Sequence, residues 1–153
     1  MWASPALLVA ALALALGLIV AVRFPVSFAQ GLDLEPSSRP GPVVVNEPQA
    51  EQGPVLVTVE YRIDPQRTAE FALAMLELGR VRRRDGAVDW GLFQDVAEQG
   101  RYLETFMVES WAEHLRQHER ATVADRQIWE RVRSFHLPDG TPTVSHLVYA
   151  YHE

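Results

Sequence analysis

The stretch Val55–Arg62, VLVTVEYR, alternates between two kinds of side chain and predicts the first strand of a folded domain. Three valines and a tyrosine fall on one side, whereas leucine, threonine, glutamate and arginine fall on the other. A period of two is typical of a strand with one buried face. Asp64 and Pro65 follow as an N-cap and a proline at the first helical position, so the strand is expected to lead into a helix.

This first helix is expected to run to about Arg84, because apolar residues recur every three or four positions. Its predicted inner stripe comprises Phe71, Met75, Leu78 and either Val81 or Arg82. Arginines gather in the last turns, and Gly86 follows as a stop signal. We interpret the arginine cluster as a solvated helix end; binding of anionic lipid or of a partner is the alternative.

The second half of the domain repeats the pattern with a hairpin. Ala87–Val96 and Arg101–Glu109 are predicted strands, and the turn Glu98–Gly100 joins them in antiparallel fashion. Ser110 and Glu113 have the spacing of a capping box that opens a second helix.

The second helix is expected in two pieces, Trp111–Glu119 and Val123–Phe135, with a bend near Ala121–Thr122. Val144–Tyr151 is the last predicted strand. The order strand, helix, strand, strand, helix, strand predicts an α+β fold of the ferredoxin-like βαββαβ type. Both helices are expected on one face of an antiparallel sheet.

The other face of this sheet is expected to be left uncovered by the helices. Tyr61, Trp90 and Phe106, or their neighbours, are the aromatic residues predicted there. A large exposed apolar surface usually marks an interface. We therefore predict a homodimer that forms through the sheet face.

The N-terminal stretch Trp2–Val22 contains no charged residue. As a helix it would be roughly 32 Å long, close to the ~30 Å hydrocarbon thickness of a bilayer. The predicted organisation is a transmembrane helix in residues 1–24, a proline-rich linker in 25–53 and an α+β domain in 54–153. A secretory signal and a buried core helix are the alternatives.

Arg23 follows the apolar run, and no basic residue precedes it. Because basic flanks tend to stay inside the cell, the prediction is a chain in the bacterial inner membrane, in contact with the lipid bilayer, whose folded domain is cytoplasmic. The 153 residues include no cysteine, and the net charge is −6. No broad basic patch is present, so nucleic acid is not an expected partner.

Three segments of the domain resemble the antibiotic-biosynthesis-monooxygenase-like domains of the dimeric α+β barrel superfamily. They are VTVEYRIDPQRTAEF (57–71), DGAVDWGLFQD (85–95) and FMVESWAEHLRQHER (106–120). Nearly the whole chain is similar to the C-terminal end of major facilitator superfamily permeases of the transmembrane secretion effector (enterobactin-exporter-like) type. The segments RFPVSFAQGLDLEPS (23–37), GPVLVTVEYRID (53–64) and ETFMVESWAEHLRQHER (104–120) carry that similarity.

This second resemblance implies an accessory tail of a drug or siderophore exporter. One span cannot form a transport path, since such permeases have about six spans in each half. The chain is therefore expected to be either a truncated piece of a permease or a free-standing anchored relative.

The first resemblance implies an alternative, a tethered cofactorless oxygenase acting on a hydrophobic quinol-like substrate. The candidate cleft consists of Tyr61, Trp90, Trp111, His114 and His118. The two histidines are spaced as metal ligands on a helix, but no third ligand is apparent, so neither a metal nor a cofactor is predicted and no residue is assigned as catalytic. Haem-degrading relatives carry an asparagine and a tryptophan where this chain has Tyr61 and Val108, so haem degradation is not expected.

Overall fold

The structure, a computed structural model, describes residues 44–150 and the single position Leu14. The chain divides into two compact units, Met1–Leu32 and Asp33–Glu153. The predicted transmembrane helix and most of the predicted linker lie outside the described residues, so the structure does not test them. Within the described part, no helix is both long enough and apolar enough to cross a bilayer.

Four strands form one antiparallel sheet in the order β2-β3-β1-β4. They are β1 (Val55–Arg62), β2 (Trp90–Gln94), β3 (Arg101–Val108) and β4 (Thr143–Val148). A short 3-10 turn leads into the first of the three α-helices found within residues 44–150. These are α1 (Thr68–Arg84), α2 (Trp111–Glu119) and α3 (Val123–Arg133). The predicted ferredoxin-like order is confirmed, with the second helix in two pieces as expected.

Two strands are shorter than the sequence predicted. The strand predicted over 87–96 is reduced to β2, because the chain turns at Asp95, whose carboxylate accepts from two following backbone amides. The strand predicted over 144–151 ends as β4 at Val148. Between α2 and α3, Thr122 and Asp125 form a complete capping box, which explains the bend that the sequence indicated.

The face of β1 predicted to be buried is buried. Val55, Val57, Val59 and Tyr61 are each at most 4% exposed and lie under the helices. The predicted inner stripe of α1 packs on them, since Phe71, Met75, Leu78 and Val81 are buried as well. The sheet and α1 therefore form the main core, as the two sequence periods indicated.

The aromatic residues expected on the open face of the sheet lie on the opposite face, so that prediction was wrong. Trp90 pairs with Phe106 across β2 and β3, and Tyr61 is 1% exposed; all three point towards the helices. A Cβ atom at Gly79 of α1 would lie 2.7 Å from the Trp90 ring, so the glycine allows this close packing.

The open face of the sheet instead carries aliphatic side chains around a row of small hydroxyl residues. Thr58 pairs with Thr105 and with Ser145 in the middle. The aliphatic and aromatic members of this face are Leu56, Phe93, Leu103, Met107 and Leu147. The face is apolar on one side of this row, at Leu56, Met107 and Leu147, whereas on the other side Leu103 and Phe93 lie beside the charged residues Glu60, Arg62 and Arg101.

The last described residues before β1 are attached to the domain. The backbone amides of Trp111 and Ala112 donate to the carbonyl oxygens of Gln52 (2.8 Å) and Ala50 (2.9 Å). Amides in the first turn of a helix have no partner within the helix itself. The chain that enters the domain thus supplies acceptors for the start of α2.

Candidate functional site

A buried carboxylate organises the centre of the helix-covered face. Glu104 of β3 has no exposed surface. Its oxygens accept hydrogen bonds from Tyr61 Oη, Arg82 Nε and Trp90 Nε1, each at 3.0 Å. We call these four residues the Glu104 network. A buried carboxylate requires such a set of donors, because leaving it unpaired would cost several kcal/mol.

Arg82 links this network to a second cluster. Its guanidinium lies 4.5 Å from the centre of the Phe106 ring, within the range of a cation–π contact. Burial alone would lower the pKa of Arg82, but the neighbouring Glu104 carboxylate raises it above its usual value. Arg82 therefore remains a cation inside the domain, and Glu104 is its counter-ion.

Three histidines meet beside this cation. His114 and His118 lie one turn apart on α2, and His146 comes from β4. Nε2 of His114 is 3.4 Å from Nε2 of His118, and the rings of His114 and His146 are 4.7 Å apart. Trp111 packs against His114 with ring centres 5.3 Å apart. We call the three histidines and Trp111 the histidine cluster.

His114 is held in its neutral form. Burial lowers its pKa to about 3, and His118, His146 and Arg82 add to the effect. Burial also lowers the pKa of His146. At the 3.4 Å contact between Nε2 of neutral His114 and Nε2 of His118, one nitrogen donates the proton and the other accepts it.

A small cavity lies between the two groups of residues. Its volume is about 20 Å³, and its lining comprises Arg82, Asp85, Phe106, His114, Gln117 and His118. Nδ1 of His114 and Nε2 of Gln117 are buried and have no hydrogen-bond partner within the part of the chain that the structure describes. A volume of this size holds about one water molecule, which would serve these polar atoms.

The structure divides the predicted cleft. Tyr61 and Trp90 belong to the Glu104 network, whereas Trp111, His114 and His118 belong to the histidine cluster, and Arg82 lies between the two. In the described residues, no group of three or more histidine, cysteine, aspartate or glutamate side chains is arranged to hold a metal ion. Val108, at a position where haem-degrading relatives differ, is completely buried.

The site residues that the sequence prediction missed include Arg82, Glu104, Gln117 and His146. For two of these residues, the sequence pattern indicated a buried position. Glu104 lies on the same side of β3 as Tyr102, Phe106 and Val108, because side chains alternate along the strand. Its carboxylate therefore falls on the buried face. His146 likewise lies on the same side of β4 as Val148. A polar residue at a core position indicates a buried partner.

The fold is similar to that of several small α+β proteins. A Caulobacter crescentus protein described as a candidate antibiotic biosynthesis monooxygenase has 19% identity and a TM-score of 0.56, covering 67% of this chain and 94% of its own. A Bordetella bronchiseptica protein with the same description has 20% identity and a TM-score of 0.54, covering 65% and 100%. Because both hydrophobic core clusters of the described residues lie between Val55 and Val148, residues 44–153 are expected to fold by themselves.

These likenesses define a domain with the fold of antibiotic biosynthesis monooxygenases. The family is broader than the domain, since a sequence model described as "Transmembrane secretion effector" matches residues 1–153. The chain belongs to this family. Among curated proteins, none matches the chain.

Proposed function

We propose that the chain is a membrane-anchored accessory domain of a drug or siderophore exporter of the major facilitator type. The observation that carries this proposal is the family match over residues 1–153. A single family model thus covers both the uncharged N-terminal run and the α+β domain. The domain is placed on the cytoplasmic side, because Arg23 follows the run and no basic residue precedes it. Transport itself requires further spans.

The small size of the cavity beside the histidine cluster favours an accessory role over catalysis. The cavity beside the histidine cluster holds about one water molecule, whereas pockets for small organic ligands measure about 300–1,000 Å³. Glu104, the charged group at the centre, already accepts from three side chains.

The anchoring and the topology are tested by a reporter fused after Glu153 of the full chain. A reporter that works only in the cytoplasm should be active, and the chain should stay in the membrane fraction after a high-salt wash. Activity confined to a reporter that works only outside the cytoplasm would contradict the proposed orientation. Release by salt would contradict the anchor.

The second candidate function is a tethered oxygenase. The observation that favours it is the pair of buried polar atoms without described partners, on His114 and Gln117, at the cavity beside Arg82. Such an enzyme should consume oxygen with quinol-like substrates, and replacing Trp111 or His118 should abolish the turnover. No oxygen uptake is expected if the domain is an accessory.

The open sheet face is expected to form a homodimer, in keeping with an accessory domain that pairs two anchored chains. Leu56 and Met107 lie opposite each other on this face. We expect residues 44–153 to scatter light as a dimer at micromolar concentration. Met107→Glu should give a monomer, because it would bury a charge in the interface. Val96→Glu, at a fully exposed loop position, is the matched control and should leave the dimer intact. A monomeric parent domain would contradict the expectation.

A further inference from the structure

The side of α1 that faces away from the sheet combines exposed leucines with arginines. Leu73 and Leu76 are 63% and 50% exposed, and Arg80 and Arg83 follow at helical spacing. The intervals of three, four and three residues keep all four side chains on one side, opposite the buried stripe. We call these four residues the outer α1 stripe. Its apolar part lies towards the start of the helix and its basic part towards the end.

The positive charge of the outer α1 stripe is not compensated within the domain. In the described part of the chain, neither Arg80 nor Arg83 forms an ion pair; the Arg83 guanidinium instead lies 5.0 Å from the centre of the Trp90 ring. The adjacent Arg84, in contrast, is bound by Asp85 and Asp125. The stripe thus presents two available cations on a chain whose net charge is −6.

The carboxylates beside the stripe do not neutralise it. Glu70 pairs with Arg67, and Glu77 pairs with Arg131 of α3 at 3.1 Å. Both acidic side chains therefore already have basic partners. An acidic protein surface would complement only the arginines, and an apolar groove only the leucines. A bilayer surface with anionic headgroups complements both, because phosphates lie directly above the acyl chains.

We propose that the outer α1 stripe docks the domain onto the anionic bilayer surface beside its anchor. Leu73 and Leu76 enter the boundary between headgroups and acyl chains, while Arg80 and Arg83 bind lipid phosphates. Guanidinium groups suit this role because their planar set of donors matches phosphate oxygens. The docking rests on the proposed anchoring, since the anchor brings the stripe to the membrane.

The outer α1 stripe offers only a small contact with the membrane, and the anchor makes this contact sufficient for docking. Two arginines and two partly inserted leucines bind a free domain only weakly, since each basic residue near an anionic surface strengthens binding by about fivefold. A tethered domain, however, experiences a local concentration in the millimolar range for a short flexible linker. A weak contact is then enough to hold the domain against the membrane.

The inference is tested by sedimentation of residues 44–153 with vesicles. At millimolar lipid, the concentration range that the tether would supply, vesicles containing phosphatidylglycerol should bind the domain, pure phosphatidylcholine vesicles should bind it much less, and 0.5 M salt should release it. Arg80→Gln combined with Arg83→Gln should weaken binding tenfold or more. Leu73→Ser combined with Leu76→Ser should weaken it as well, and circular dichroism should show that both variants remain folded.

The matched control combines Arg116→Gln with Arg126→Gln. These arginines are also exposed and helical, and the variant changes the net charge equally, but they lie outside the stripe in ion pairs with Glu113 and Glu130. Binding should fall less than threefold. Equal losses in both charge variants, or no binding to anionic vesicles, would overturn the docking. If the full chain still resists salt extraction in that case, the anchor stands and only the docking fails.

Discussion

Replacing Glu104 with alanine is expected to lower the free energy of unfolding by roughly 3–5 kcal/mol, because Arg82 would then be a buried cation without its counter-ion. Tyr61 and Trp90 would lose their acceptor in the same step. Domains are typically stable by only about 5–15 kcal/mol, so a large part of the total would be lost. Urea unfolding of residues 44–153, followed by circular dichroism, measures the effect.

Glu98→Ala provides the matched control for this prediction. The Glu98 carboxylate also pairs with an arginine, Arg62, but its side chain is 48% exposed. Exposed pairs contribute about 0–1 kcal/mol, so this change should be small. Combining Glu104→Leu with Arg82→Met removes both charges and should recover part of the stability. Equal losses for Glu104→Ala and Glu98→Ala would contradict the assigned role of Glu104.

Acidification from pH 7 to pH 5 is expected to cost the domain about 2 kcal/mol of stability through His114 alone. The pKa of His114 is about 3 in the folded domain and about 6.5 when unfolded, so the unfolded chain takes up the proton first. The contribution is therefore fully present above pH 6.5 and is lost as the pH falls towards 3. His146, whose pKa burial also lowers, changes stability in the same direction.

The measurement is the slope of unfolding free energy against pH, which separates titration from packing. His114→Gln should flatten the slope between pH 7 and pH 5, whatever it does to stability at pH 7. His136→Gln serves as the control, because His136 lies outside the histidine cluster, and its ring Nδ1 is 3.0 Å from the carbonyl oxygen of the adjacent Leu137. An unchanged slope in the His114 variant would show that His114 is not the titrating group.

Local sequence patterns predicted the elements well because each depends on neighbouring residues. The alternation of β1, the Asp64–Pro65 start and the stripe of α1 were all visible in the sequence and are confirmed. The two-piece second helix was also predicted, although the sequence analysis did not recognise the Thr122–Asp125 box that causes it. The strand ends were less accurate, since they depend on where partner strands stop.

The contents of the two sheet faces were harder to predict. The sequence showed which residues alternate, but not which of the two sets the helices would cover in β2 and β3. Trp90 was therefore placed on the wrong face. The Glu104 network escaped notice for a related reason, because Arg82 and Glu104 are far apart in the chain and meet only after the sheet and α1 have packed. Three-dimensional pairing of buried charges has no local signature.

If the proposed anchor tethers the domain, the central position of β1 has a mechanical consequence. After the contacts of Ala50 and Gln52 with α2, the chain enters β1, which pairs with β3 over eight residues on one side and with β4 over six on the other. A pull on the linker therefore acts along the strand and shears two ladders at once, so that many hydrogen bonds share the load. An edge strand pulled from the side would instead open like a zipper, one bond at a time. The domain is thus attached by the strand best placed to bear tension.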